Sequence, residues 1–264
     1  MLQLNDQLGH SLTFHDVPQR IVSLVPSQSE FLWDLGLEDK LCGVTRFCIH
    51  PEQMYKQVTR VGGTKDLNLD KIRALKPDLI IGNKEENSKE QIELLQKEFK
   101  VWMSDIFTLE DAYAMMLDLG RICNKSTEAQ RLVETITRGM ATIRGLFEFR
   151  TVAYFIWQNP YMVSASGTFV DQVLQHAGLS NAAAAYQRYP VVSTEALRQL
   201  KPEYCFLSSE PFPFKESHLI ELQRLLPNSK CCLVDGEMFS WYGSRLLQLP
   251  AYLQALKANL IGGG

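Results

Sequence analysis

Apolar runs alternate with amphipathic stretches along the first half of the chain. Segment 20–26 (RIVSLVP) is a β-branched apolar run, and 78–82 (DLIIG) and 100–103 (KVWM) are two more. Such short runs are typical of strands that are buried on both faces of a parallel sheet. Apolar residues at helical spacing fill 27–36 and 88–99 between them. Strands and helices that alternate at this interval predict βαβ units and a parallel sheet.

The second half of the chain repeats this alternation. Segment 150–157 (RTVAYFIW) matches the first strand in character, and 204–208 and 230–234 are the next two apolar runs. Segment 174–179 (LQHAGL) has the form of 32–37 (LWDLGL), a helix end followed by glycine. The pattern therefore predicts two pseudo-symmetric α/β lobes, each with a central parallel sheet.

One phrase occurs in both halves. Residues 70–81 (DKIRALKPDLII) and 195–206 (EALRQLKPEYCF) share a first carboxylate, an arginine three places on, and Leu-Lys-Pro-acid before an apolar run. The copies start at positions 70 and 195, a separation far longer than any solenoid period, which indicates that a whole lobe is repeated. Because clefts between domains commonly bind ligands, we expect a ligand between the lobes.

A long amphipathic stretch lies between the two halves. Thr127 with Gln130 fits a capping box, and apolar residues then recur at three- and four-residue steps as far as Phe147. We therefore predict one long backbone helix over 127–147, a rod of roughly 30 Å that would limit hinge motion. The predicted organisation is an N-terminal lobe at 1–124, a connecting helix at 125–148 and a C-terminal lobe at 149–264.

Composition and charge exclude several classes of partner. The 264 residues are 45% hydrophobic and 22% charged, with a formal net charge of −3. This balance is ordinary for a globular protein and gives no reason to expect a nucleic-acid or membrane partner. No apolar run approaches the roughly 20 residues of a transmembrane helix. We expect a monomer.

The compartment is inferred from the first residues and the cysteines. The start MLQLNDQLGH lacks the basic and apolar regions of a secretory signal. The cysteines form no CxxC pair and no zinc-ligand spacing, so we interpret them as reduced and structural. They are Cys42, Cys48, Cys123, Cys205, Cys231 and Cys232. As written, the chain is expected to be cytoplasmic; the alternative is a periplasmic protein from which a signal was removed.

The opening DQLGHSLTF…VPQRIVSLVPSQSEFLWDLGL resembles an N-terminal family signature. It is similar to that of the helical-backbone (class III) substrate-binding proteins of ABC importers for vitamin B12, ferric siderophores and haem. The similarity extends from about Asn5 to Leu260, and the paired segments 68–70 (NLD) and 193–195 (STE) are its most specific part. The resemblance implies a ligand-binding protein that captures a corrinoid, a ferric siderophore or another metal chelate.

The resemblance also implies a partner. In that family, a carboxylate at the outer tip of each lobe pairs with arginines of the membrane permease, and these roles fall on Asp70 and Glu195. The alternative is structural, because an acidic residue in the first turn of a helix interacts favourably with the helix dipole by about 0.3–1 kcal/mol.

Candidate ligand contacts lie on the loops that follow the predicted strands, because ligands approach such sheets at the carboxyl ends of the strands. These loops carry aromatic and hydrogen-bonding residues, which suit a large planar or chelated ligand. The candidates are Gln28, Arg46, Phe47, His50, Thr64, Asn83, Trp157, Arg188, Tyr189, Glu237, Trp241, Tyr242 and Arg245.

Three of these candidates indicate an anionic ligand. Arg46, Arg188 and Arg245 could bind carboxylates or catecholate oxygens, although each could instead pair with an acid of the protein itself. Against the vitamin B12 binder, Thr64 and Tyr189 fall where large aromatic residues pack on the corrin. Because Thr64 could not stack, a corrinoid is the less favoured ligand.

The remaining candidates concern metals and acids. Against the same vitamin B12 binder, Glu237 falls near an acidic pocket residue. His50 is the only histidine on a predicted pocket loop and could ligate a metal, but a lone histidine is more often structural. No resident metal ion or cofactor is expected.

Enzyme function is the less favoured interpretation. The chain has no GxGxxG after a strand, no GxxxxGK[ST], no GxSxG and no HExxH, and no catalytic residue is assigned. A chelatase-like enzyme would have to use Glu30, Glu237 or His50 as its acid or base. A cytoplasmic sensor or carrier of metal chelates with the same fold is a third possibility.

Overall fold

The computed structural model describes residues 1–262, which form two compact units. Unit 1 comprises Met1–Ile106, Glu110–Ile136 and Tyr242–Arg245, and unit 2 comprises Phe107–Leu109, Thr137–Trp241 and Leu246 onward. No helix in this part of the chain is long and apolar enough to cross a membrane.

Unit 1 consists of an N-terminal β-hairpin followed in sequence by a five-stranded parallel sheet and its helices. Its strands are β1 (Leu2–Asn5), β2 (Ser11–Phe14), β3 (Ile21–Ser23), β4 (Leu41–Val44), β5 (Thr59–Arg60), β6 (Leu79–Asn83) and β7 (Val101–Ser104). Its helices are α1 (Pro26–Asp34), α2 (Glu52–Gln57), α3 (Leu69–Leu75), α4 (Lys89–Gln96), α5 (Leu109–Ile122) and α6 (Ser126–Ala141), of which α5 and α6 each have one end in unit 2. β1 and β2 pair antiparallel, and the sheet order is β5-β4-β3-β6-β7.

Unit 2 is built on a second sheet. Its strands are β8 (Arg150–Trp157), β9 (Met162–Ser164), β10 (Leu179–Asn181), β11 (Tyr204–Ser208) and β12 (Lys230–Val234). Its helices are α7 (Phe169–His176), α8 (Thr194–Leu200), α9 (Glu216–Leu225), α10 (Glu237–Ser240) and α11 (Leu249–Gly262). The order is β10-β8-β11-β12, all parallel, with β9 antiparallel to β8.

The two sheets share one topology, since β4-β3-β6-β7 corresponds strand by strand to β10-β8-β11-β12. In each unit, apolar residues of these strands pack against helices to form a core. The predicted α/β fold with two lobes and parallel sheets is confirmed. The predicted boundaries 1–124, 125–148 and 149–264 stay predictions.

The repeated phrase forms the same helix in both units. The N-cap Asn68 of α3 accepts a hydrogen bond from the backbone N of Lys71 at 2.9 Å, and the N-cap Ser193 of α8 accepts one from Ala196 at 3.2 Å. Lys76 and Lys201 then end the helices in the left-handed conformation, with φ of 46° and 44°.

The acid that follows Lys-Pro holds the beginning of the neighbouring strand. Asp78 accepts hydrogen bonds from the backbone N of Gln19 (2.7 Å) and Arg20 (2.9 Å), just before β3. Glu203 accepts one from the backbone N of Thr151 at 2.8 Å, at the start of β8. The repeated sequence phrase therefore forms the same local structure once in each lobe: a capped helix followed by an acid that binds the start of the neighbouring strand.

The prediction of one helix over 127–147 is wrong in length. α6 ends at Ala141, and 142–149 forms turns in which Gly145 has a φ of 70° and Phe149 a φ of 64°. Backbone N–H groups of these turns donate to the end of α7 and the residues after it, as from Gly145 to the carbonyl of His176 at 3.1 Å. Ile143 and Phe147 are buried in these turns, so the apolar period continues after the helix has stopped.

The two units are also not continuous in sequence. Tyr242–Arg245 belongs to unit 1, although the residues on both sides of it belong to unit 2. An apolar period within one segment cannot show that a short segment near the end of the chain returns to the first unit.

Candidate functional site

Buried polar side chains line the carboxyl ends of the unit 1 strands. Ser104, the last residue of β7, accepts a hydrogen bond from Gln28 Nε2 at 2.5 Å and from Asn83 Nδ2 at 2.9 Å. The Tyr242 hydroxyl is buried near Ser27 and Ser104, and burial raises its pKa. Gln28, Asn83 and Tyr242, which the sequence singles out, are thus brought together as a polar floor with little exposed surface.

Asn83 also shapes the loop that follows β6. Its Oδ1 accepts hydrogen bonds from the backbone N of Glu85 (2.8 Å) and Glu86 (3.0 Å). Asn87 Nδ2 donates to the carbonyl of Thr64 at 3.1 Å, which ties this loop to the one after β5. Thr64 is half-buried there. Asn83 is therefore a positioning residue of this edge.

The loop after β4 presents a cation and an aromatic ring together. The Arg46 guanidinium lies 5.1 Å from the Phe47 ring centroid, and Phe47 is 48% exposed. Gly63 makes room for this arginine, because a Cβ at that position would lie 3.0 Å from Arg46 Nη2. His50 is half-buried on the same loop. This pair can offer both charge and a flat apolar face to a ligand.

Arg245 pairs with an acid of its own unit. Its Nη2 lies 2.7 Å from Glu30 Oε1 and its Nε 3.1 Å from Glu30 Oε2, and the residue is only 7% exposed. Burial raises the pKa of Glu30, while Arg245 lowers it by a smaller amount. The geometry therefore supports the alternative in which Arg245 pairs with an acid of the protein itself and does not bind the ligand directly.

Unit 2 presents aromatic rings at the carboxyl end of β8. Trp157 is 40% exposed, and its ring packs on Phe212 in an edge contact, with centroids 5.4 Å apart. Phe212 is supported in turn by Phe214 at 4.8 Å and His218 at 5.2 Å. A partly exposed indole held by a second layer of rings is a rigid surface for a planar ligand.

The carboxyl ends of β11 and β12 carry a half-buried acid. Glu210 Oε1 accepts hydrogen bonds from Ser240 Oγ at 2.7 Å and Trp241 Nε1 at 3.1 Å. Burial raises the pKa of Glu210, and the charge of Glu237 raises it further. Trp241 is only 7% exposed, so the Glu210 contact fixes an indole that is largely covered. Glu237 is half-buried at the start of α10.

Arg188 lies near two aromatic rings. Its guanidinium is 5.3 Å from the centroid of Phe107 and 5.7 Å from that of Tyr189. Its Nη1 donates to the carbonyl of Gly167 at 3.5 Å, and its φ is 62°. Arg188 and Tyr189 are half-buried, so unit 2 repeats the combination of cation and ring that unit 1 carries.

The two predicted docking acids occupy equivalent positions. Asp70 is the second residue of α3 and Glu195 the second of α8. The Asp70 side chain is 93% exposed and accepts a hydrogen bond from Arg73 Nη1 at 3.0 Å. Glu195 is exposed and accepts one from Thr194 Oγ1 at 3.1 Å; a backbone hydrogen bond and then this contact lower its pKa.

Comparison with known proteins assigns the family. The profile of the periplasmic binding protein family matches residues 21–224. The chain belongs to this family. The curated relatives are named as binding proteins. The vitamin B12-binding protein of Pectobacterium carotovorum is 26% identical over 252 residues, which cover 91% of this chain and 90% of the relative. An uncharacterized ABC transporter substrate-binding lipoprotein of Bacillus subtilis is 26% identical over 213 residues, 76% of this chain and 67% of the relative.

Solved structures agree with this assignment. A periplasmic heme binding protein of Pseudomonas aeruginosa superimposes with a TM-score of 0.77 at 25% identity, covering 91% of this periplasmic binding protein and 92% of that chain. The vitamin B12 binding protein of Vibrio cholerae gives 0.71 at 23%, covering 91% and 98%, which shows the fold. The predicted class III resemblance is confirmed, and the protein is a substrate-binding protein of the ABC-transporter type.

Sequence reasoning about this periplasmic binding protein missed Ser104, Glu210 and Phe212 as parts of the two edges. Ser104 directly follows the predicted strand 100–103, so the rule that ligands approach strand ends could have found it. The contacts of Glu210 and Phe212 join residues from different loops, which no local pattern shows. Among residues 1–262, no three His, Cys, Asp or Glu side chains come together as a metal site.

Proposed function

We propose that this substrate-binding protein captures an anionic metal chelate with a planar or aromatic surface, such as haem or a ferric siderophore, for an ABC permease. The observation that carries the proposal is the recurrence of one chemistry in both units: Arg46 with Phe47, and Arg188 with Tyr189. Guanidinium groups bind carboxylate and catecholate oxygens, and the adjacent rings pack on flat ligand surfaces.

The geometry supports some candidate contacts more than others. Arg46, Phe47 and Trp157 are exposed, and Arg188 and Tyr189 are half-buried, so we propose these five as direct contacts. Gln28, Asn83, Glu237, Trp241, Tyr242 and Arg245 are proposed as the supporting layer, and His50 and Thr64 as residues at the margin. That the ligand lies in a cleft between the lobes stays a prediction.

A corrinoid is the second candidate ligand. The curated relative of Pectobacterium carotovorum is named for vitamin B12, and a solved relative of Pseudomonas aeruginosa for heme. Thr64 offers no ring for stacking, and the exposed arginine favours a ligand with negative charge. We therefore place haem and ferric chelates ahead of the corrinoid.

The ligand class is tested first by native mass spectrometry and visible absorption of freshly purified protein. The protein is then titrated with haemin, a ferric tris-catecholate and cyanocobalamin. We expect the two anionic chelates to bind more tightly than cyanocobalamin. Tighter binding of cyanocobalamin than of either anionic chelate would contradict the proposed charge recognition.

The proposed contacts are tested by substitution. Trp157→Ala and Tyr189→Ala should each weaken binding of the chelate by about thirtyfold, the effect of removing an anchor worth about 2 kcal/mol. Phe149, which is exposed near the amino end of β8, provides the control Phe149→Ala, with unchanged affinity expected. Unchanged affinity in both test variants would move the site elsewhere.

We also propose that the protein functions outside the cytoplasmic membrane. The sequence analysis gave this location as the alternative to a cytoplasmic one. Its curated relatives include a lipoprotein, and its solved relatives are named as periplasmic. Asp70 and Glu195 are the proposed contacts with the permease. Fractionation of the source cells with an antibody to the protein tests the compartment, and recovery with cytoplasmic markers would favour the sensor or carrier instead.

A further inference from the structure

Two cysteines of unit 2 lie side by side on neighbouring strands. β11 and β12 are parallel, and their register sets Cys205 directly opposite Cys231. Residues directly opposite each other on paired strands point to the same face of the sheet, and successive residues point to opposite faces. The next pair in the register is Phe206 and Cys232, which therefore faces the other side.

The two thiols lie on the face of the sheet that α9 covers. They are near enough for each to shift the pKa of the other. Cys205 is fully buried in the core cluster of unit 2, and Cys231 is half-buried at the edge of the same cluster. Neighbouring strands lie about 4.8 Å apart, within the range of Cα separations that a disulfide spans.

We propose that Cys205 and Cys231 are a disulfide site that closes by thiol–disulfide exchange with a disulfide oxidant, either a small molecule such as oxidised glutathione or a protein dithiol oxidase. This departs from the interpretation that all six cysteines serve only as reduced structural residues. The structure holds both as free thiols, the substrate form of the exchange.

The chemistry assigns the order of events. The neighbouring Cys205 thiol lowers the pKa of Cys231, whereas the neighbouring Cys231 thiol and burial raise the pKa of Cys205. The half-buried Cys231 thiolate attacks one sulfur of the oxidant, forms a mixed disulfide and releases the other sulfur as a thiolate.

The second step closes the bond within the protein. Cys205 gives its proton to the departing thiolate as its sulfur attacks Cys231 Sγ, and the second oxidant thiol leaves. The protein loses two protons and two electrons, and the oxidant disulfide is reduced to two thiols, so the exchange balances. Because the pair is near the amino ends of β11 and β12, away from the proposed ligand contacts, the test needs no ligand.

Cys232 provides the matched control. It adjoins Cys231 in the chain but points to the other face of β12, and burial raises its pKa to about 12. Cys232→Ser should therefore leave the exchange unchanged, while Cys231→Ser should abolish it.

The experiment treats the folded protein with oxidised glutathione, quenches with acid, and alkylates the remaining thiols for mass spectrometry and peptide mapping. We expect two of the six cysteines to escape alkylation, with a peptide pair that links Cys205 to Cys231 and is released by dithiothreitol. In Cys205→Ala, which keeps an apolar side chain in the core, the reaction should stop at a glutathione adduct on Cys231.

Three outcomes would overturn the proposal. They are full alkylation of all cysteines, a stable glutathione adduct on Cys231 in the unsubstituted protein, and a link that contains Cys232. Each would show that the paired thiols do not close on one another.

Discussion

The ion pair of Glu30 and Arg245 fixes a short segment from the end of the chain in unit 1. Both side chains are nearly covered, and two hydrogen bonds join them. A buried pair of this kind adds little stability compared with apolar side chains, but the loss of one partner leaves the other charge buried and uncompensated. The pair therefore holds the segment Tyr242–Arg245 in place within unit 1.

Substitution of one partner should destabilise the protein. We expect Arg245→Met to lower the free energy of unfolding by about 3 kcal/mol near neutral pH, because Glu30 stays buried without its cation. Denaturant unfolding measures the loss. Glu30→Gln/Arg245→Met should recover a large part of it, and Glu98→Gln, in an exposed pair with Arg73, serves as the control with little change expected. Equal losses in the single and double variants would contradict the role of uncompensated charge.

The same pair predicts a pH dependence of stability. Because burial raises the pKa of Glu30 above its ordinary value of 4.5, the folded state binds this proton more tightly than the unfolded state. The contribution of Glu30 to the free energy of unfolding is therefore largest below pH 4.5 and decreases as pH rises through the folded pKa. Arg245, Asp34 and His50 are the charged groups that act on it. The free energy of unfolding, measured across this pH range, should decrease less steeply with pH in Glu30→Gln than in the unsubstituted protein. An unchanged pH dependence would show that other groups cause it.

At the scale of elements, the repeated phrase ends each helix with a lysine in the left-handed conformation. Lys76 and Lys201 adopt it immediately before a proline, where a non-glycine residue is strained. Glycine normally occupies this position after a helix. Both lobes therefore carry the same backbone strain at the end of this helix.

Glycine substitution tests this strain. Lys76→Gly and Lys201→Gly should each raise the free energy of unfolding by about 0.5 kcal/mol, as relief of the left-handed conformation exceeds the entropy that glycine adds to the unfolded chain. The control Lys71→Gly, within α3, should lower it by about 1 kcal/mol. Thermal unfolding of the three variants decides the matter, and a loss at Lys76 equal to that at Lys71 would refute the account.

The hairpin of α5 and α6 depends on a close approach. A Cβ at Gly120 would lie 2.4 Å from the Cβ of Ala129 and 3.2 Å from the carbonyl oxygen of Lys125. We expect Gly120→Ala to lower the free energy of unfolding by about 1–3 kcal/mol through overpacking. Ala129→Gly added to it should recover part of the loss beyond the sum of the two single effects. Strict additivity in this double-mutant cycle would place the strain elsewhere.

At the scale of the whole molecule, Asp70 and Glu195 occupy equivalent helix positions in the two units, and a test of their proposed contact with the permease follows from this. We expect Asp70→Lys and Glu195→Lys each to weaken binding to the cognate permease in reconstituted vesicles by about tenfold or more, because each removes one partner of an interfacial charge pair. Chelate affinity should stay unchanged. Glu216→Lys, in the first turn of α9, is the control for a helix-terminal acid without a docking role. If all three charge reversals weakened permease binding equally, the effect would be due to the change in net charge and not to specific contacts of Asp70 and Glu195.

The sequence by itself determined the fold and the family. Strands in the interior of a parallel sheet need continuous apolar runs, so 150–157 and 204–208 could be located to the residue. The edge strand 230–234 is only partly buried but carries the same kind of run. The repeated Leu-Lys-Pro-acid phrase is a local backbone device, and its two copies were therefore visible without a structure. Sequence reasoning also placed Arg46, Phe47 and Trp157 on loops at the strand ends, where the structure exposes them.

Only the tertiary structure decided which side chains remain available and which are already paired. The pairing of Arg245 with Glu30 across 215 positions, and that of Trp241 with Glu210, arise when distant segments meet, so no periodicity predicts them. The end of α6 at Ala141 likewise depends on α7, because the end of α7 and the residues after it accept the backbone hydrogen bonds of the turns that follow. Local patterns specify helices, strands and loops, whereas burial, pairing and the register of Cys205 with Cys231 result from contacts between segments remote in sequence.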